Sequence, residues 1–86
     1  MELYDSANVD ADLARIRAEI APYYAERFAQ GTIRSYTVEA HHVNMNRFTA
    51  SVEYLPTKDG ERFGPITAWF EILIRDGRIE FQNGLR

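Results

Sequence analysis

A chain of 86 residues with 45% hydrophobic and 27% charged side chains has an ordinary globular composition, too apolar for a disordered segment. Its formal net charge of −3, from 10 Lys and Arg against 13 Asp and Glu, argues against a nucleic-acid reader, which would show a basic stripe. With no cysteine there are no disulfide staples and no thiolate metal sites, and no apolar run approaches the roughly 20 residues of a membrane span.

The length is that of one domain, residues 1–86, and such a chain buries roughly 60–65% of its unfolded surface. The opening MELYDSANVD lacks the basic-then-apolar order of a signal peptide, so the cytoplasm is the expected address. Helix signals begin at Asn8, an N-cap residue type, with Asp10 and Asp12 in the first turn, where the macrodipole favours anions. Val9, Leu13, Ile16, Ile20, Tyr24 and Phe28 then recur at steps of three and four, which is one apolar face of a helix. Arg15, Arg17 and Arg27 share that helix with Asp10, Asp12, Glu19 and Glu26, and they read as a mixed solvated face. Pro22 removes a backbone donor and crowds the carbonyl of Ala18, predicting a kink or a break. Gly31 follows as a helix stop.

Thr32 to His42 alternates as a strand, with Tyr36, Val38 and Ala40 on one face and Thr37, Glu39 and His41 on the other. Val43-Asn44-Met45 reads as a three-residue loop. That loop would set Ala40 opposite Phe48 and Val38 opposite Ala50. In the next strand, Arg47 to Leu55, Phe48, Ala50, Val52 and Tyr54 alternate with Arg47, Thr49, Ser51 and Glu53. Pro56 to Pro65, with Lys58, Asp59, Glu61 and Arg62, reads as the longest and most mobile loop.

Ile66 to Phe81 is the clearest stretch. Ile66, Ala68, Phe70, Ile72 and Ile74 alternate with Thr67, Trp69, Glu71, Leu73 and Arg75. Asp76-Gly77 then suits the two positive-φ positions of a type I′ turn, which places Ile74 opposite Ile79 and Ile72 opposite Phe81. The expected fold is therefore α+β. An N-terminal amphipathic helix packs on one face of a curved four-stranded antiparallel meander.

The stretch Arg47 to Phe81, RFTASVEYLPTKDGERFGPITAWFEILIRDGRIEF, with Arg75-Asp76-Gly77-Arg78-Ile79 at its hairpin, resembles the closing strands of SnoaL-like domains of the NTF2-like superfamily. That resemblance implies a helix-and-sheet fold that binds or turns over a small molecule between its layers. It carries no catalytic residue onto this chain. The layout is also similar to the cystatin fold, although the inhibitory Q-x-V-x-G loop is absent.

Among candidate sites, His41 and His42 are adjacent on a strand and point to opposite faces, so they do not converge on a metal, and no cofactor motif is present. Tyr36, Tyr54 and His42 fall on the inner face, with Tyr24 brought near by the helix. They form either a pocket with His42 as base or a set of packed core aromatics. Trp69 and Leu73 fall on the outer face beside Glu71, with Thr49 and Ser51 as a polar flank. An exposed Trp and Leu on an open sheet face invite a partner, a second copy, or cover from Leu3-Tyr4 or Leu85. The expected function is a non-catalytic protein-binding module of inhibitor or adaptor type, of the kind phages and bacterial operons encode. It would dimerise or dock through the Trp69 face. The alternative is a minimal small-molecule-binding domain using Tyr24, Tyr36, His42 and Tyr54.

Overall fold

The computed structural model describes residues 8–58 and 64–83. The elements are helix α1 (Val9–Ala29) and strands β1 (Ile33–Asn44), β2 (Arg47–Pro56), β3 (Ile66–Arg75) and β4 (Arg78–Phe81). The strands form one open antiparallel sheet in the order β1-β2-β3-β4, and α1 packs on it, chiefly against β1. None of the described helices is long and apolar enough to cross a membrane.

α1 runs through Pro22 without splitting into two helices. The lost hydrogen bond is bridged by packing. Ile20 before the proline and Tyr24 after it are both buried in the core, so the two flanks are pinned to the same surface. The helix ends in a paired hydrogen-bond motif that needs a left-handed residue. Gly31, at φ +78°, donates to the Phe28 carbonyl at 3.1 Å, and Thr32 donates to the Arg27 carbonyl at 3.0 Å. Thr57 then ties this end to β2, its Oγ1 donating to the Gly31 carbonyl at 2.7 Å.

The buried stripe of the helix is Ile16, Ile20 and Tyr24, with Leu13 partly buried. Phe28, expected on this stripe, is 53% exposed because the last helical turn passes beyond the packed zone. Its ring still meets Tyr36 edge-on at 6.1 Å. Asp12, expected in solvent, is buried instead and accepts from Arg15 Nη1 at 3.2 Å. Arg15 Nη2 also donates to the Gly77 carbonyl at 2.6 Å, which straps the start of the helix to the β3–β4 turn.

That β3–β4 turn has the expected conformation, with Asp76 at φ 51° and Gly77 at φ 74°. Ile74 faces Ile79 and Ile72 faces Phe81, as the two-residue turn requires. The β1–β2 register differs from the expectation. Ala40 faces Ala50 rather than Phe48, Val38 faces Val52, and His42 faces Phe48. The turn is the two residues Met45-Asn46, and a bulge between His42 and Asn44 absorbs the extra residue. The displacement is two residues, so every side chain keeps its expected face.

The core lies between α1 and the inner face, centred on Phe48, Ala50, Val52, Phe70, Ile72 and Ile74. Ala40 and Ala50 sit side by side in one row, and both are buried. Each large side chain in this layer contributes roughly 1.5–3 kcal/mol of transfer free energy.

Candidate functional site

The register places Thr37, Glu39 and His41 of β1 on the outer face, away from the helix. Arg47, Thr49, Ser51 and Glu53 of β2 join them there, with Thr67, Trp69, Glu71, Leu73 and Arg75 of β3. Trp69 is 63% exposed although it lies inside a ten-residue strand. Two features hold it open. β4 begins pairing at Arg75 and its last residue, Phe81, faces Ile72, so it does not reach the level of Trp69. In the other direction its neighbour is Ser51, which is too small to wall off an indole.

Ser51 is itself only 7% exposed, lying between Glu39 on one side and Trp69 on the other. Thr49 and Leu73 are half-buried and Glu71 is exposed. The backbone beside Glu71 is occupied, since Gln82 donates to its carbonyl at 2.8 Å and its N–H donates to Asn83 Oδ1 at 2.6 Å. The expected docking set therefore shares one face. The segments considered as alternative cover, Leu3-Tyr4 and Leu85, lie outside the described residues, as does 59–63 of the long loop.

Along the strands of this face, Arg47 and Arg75 lie toward the β1–β2 and β3–β4 turns together with Glu71 and Glu80, while Glu39 and Glu53 lie toward the opposite end. Arg75 meets Glu80 at 3.6 Å and His41 meets Glu39 at 3.7 Å. These pairs are solvated, each contributing about 0–1 kcal/mol to stability.

On the inner face the tyrosines gather. Tyr24 stacks on Tyr36 with centroids 6.4 Å apart and tilts against Tyr54 at 5.5 Å. The Arg27 guanidinium lies 5.3 Å from the Tyr24 ring centre, close enough for a cation–π contact. Burial pushes the Tyr24 hydroxyl above the ordinary tyrosine value of 10.0, against the pull of Arg27 and with a smaller push from Tyr54. His42 does not join them. It lies six residues further along β1, roughly 20 Å away at strand rise, with its ring 4.9 Å from that of Phe48. Its Nε2 donates to the Met45 carbonyl at 2.7 Å, which fixes it as a brace for the β1–β2 turn.

A second surface, not foreseen from the sequence, is a groove of about 500 Å³ between α1 and β4, lined by Arg15, Glu19, Tyr23, Arg78, Ile79 and Phe81. It exists because one helix, about 10 Å wide, cannot cover four strands spanning roughly 15–19 Å. No sequence pattern marks it, since it depends on where the helix crosses the sheet. Comparison with known proteins places no relative beside this arrangement: no family model matches the chain, and no curated protein or solved structure matches it.

Proposed function

We propose that the chain is a small non-catalytic protein-binding module, of inhibitor or adaptor type, that docks through the outer sheet face around Trp69. The observation behind this reading is the exposed indole on a regular strand, beside half-buried Leu73 and rimmed by Thr49, Ser51 and Glu71. Tryptophan is the residue most enriched at binding hot spots, and a polar rim around an apolar centre is the usual anatomy of an interface. The inner face supports the same reading by contrast. Its aromatic groups contact one another, and His42 is committed to the Met45 carbonyl.

A double variant tests this. Trp69→Ala with Leu73→Ser is expected to weaken binding to a partner or to a second copy by about 2 kcal/mol or more. The melting temperature should stay within about 3 °C of the parent, because neither side chain supports the core. Unchanged binding, or loss of cooperative melting, overturns the reading.

A further inference from the structure

The outer face is self-complementary, and from this we propose that its occupant is a second copy of the chain, packed sheet to sheet with strands antiparallel. The inference rests on the docking reading above and names the partner.

Its basis is the row formed by Ala40, Ala50 and Phe70, which are directly opposite one another across β1, β2 and β3. Consider a two-fold axis lying along the outer side of that row. On each strand it exchanges residues equidistant from the row. On β2, Arg47 is brought over Glu53 of the other copy. On β1, His41 is brought over Glu39. On β3, Trp69 is brought over Glu71, whose carboxylate can accept from the indole N–H, and Leu73 over Thr67. On β2 each exchanged charge meets its opposite, on β1 a His41 ring N–H can donate to the Glu39 carboxylate, and the symmetry repeats each meeting.

Among the described residues, Arg47 and Glu53 have no ion-pair partner within the chain, and both are exposed. The other two-fold, with its axis along the strands, would stack Arg47 and Arg75 at the end where the same residues of the other copy lie. Aligned sheets cross at about 30°, a tolerance that long Arg and Glu side chains span. The face measures roughly 15–19 Å by 25 Å, so two copies bury roughly 750–950 Å², below the standard class of specific interfaces and in the range of weak, transient pairs. A weak dimer, formed only as concentration rises, is therefore expected.

Light scattering and sedimentation over a concentration series test this, on the parent chain and four variants. The parent is expected to dimerise, more weakly at high salt. Arg47→Glu and Glu53→Arg are each expected to raise the dissociation constant about tenfold or more, with melting unchanged. The double variant R47E/E53R restores the opposite-charge meeting in every copy, and its dimer is expected to return to within about threefold of the parent. A parent that stays monomeric at every concentration overturns the inference, as does a double variant no better than the single ones. The docking reading then stands or falls separately, on whether Trp69→Ala loses a heterologous partner that the parent holds. A dimer indifferent to Arg47→Glu, Glu53→Arg and Trp69→Ala uses another surface, such as the β1 edge, and overturns the inference.

Discussion

Met45 carries a positive φ of 45° at the first position of the β1–β2 turn, where a β-carbon crowds the following carbonyl. Its side chain is 56% exposed and contributes little to the core. Met45→Gly removes a steric cost of about 1–2 kcal/mol and adds back roughly 0.5–1 kcal/mol of unfolded-state entropy. Denaturant melts should therefore show the variant about 0.5–1 kcal/mol more stable. Tyr24 offers a prediction in pH. Its hydroxyl is raised above 10.0 in the folded chain, so the unfolded chain releases its proton first as the solution becomes alkaline. The folded state then binds more protons than the unfolded one, and stability falls with rising pH from about 10 upward. That contribution is fully present below this value. Melting temperatures taken from about pH 9 to about pH 11 should decline less steeply in Tyr24→Phe than in the parent.

The β3–β4 hairpin was readable because two local signals coincide, strict alternation from Ile66 to Arg75 and the Asp76-Gly77 pair. The β1–β2 hairpin was readable in its strands but not in its turn. Met-Asn has no turn signature, and the bulge at His42–Asn44 hides the true loop length. The helix was legible in extent, while its continuity through Pro22 was not, because the packing of Ile20 and Tyr24 that holds it together is tertiary. Its C-terminal stop was predicted from Gly31 alone and is built from two backbone hydrogen bonds. A β-carbon at Gly31 would meet nothing within 4 Å, so Gly31→Ala isolates the cost of left-handed backbone. Chemical denaturation is expected to show a loss of about 1 kcal/mol; no loss would mean that the end of α1 rearranges freely.

For the molecule as a whole, side-chain direction in the sheet was available from period two, so the exposure of Trp69 and the burial of Phe70, Ile72 and Ile74 followed. The strap from Asp12 and Arg15 to Gly77 did not, since a mid-helix arginine reads as solvated until the turn it reaches has been placed. The tyrosine cluster was half legible. Tyr24, Tyr36 and Tyr54 do meet, but a face assignment says nothing about height along the strand, and His42 stands at the far end.

Each strand of the meander neighbours the one next to it in sequence, and this bears on how quickly the chain finds its structure. Most strand contacts close over short spans, and tight two-residue turns set two of the three pairings. A topology of such low contact order is expected to fold on the order of milliseconds, faster than sandwiches with distant strand partners. In stopped-flow refolding, the rate should then respond to substitutions at Asp76 and Gly77 more than to Arg15→Ala, which removes the strap that joins residues 62 apart.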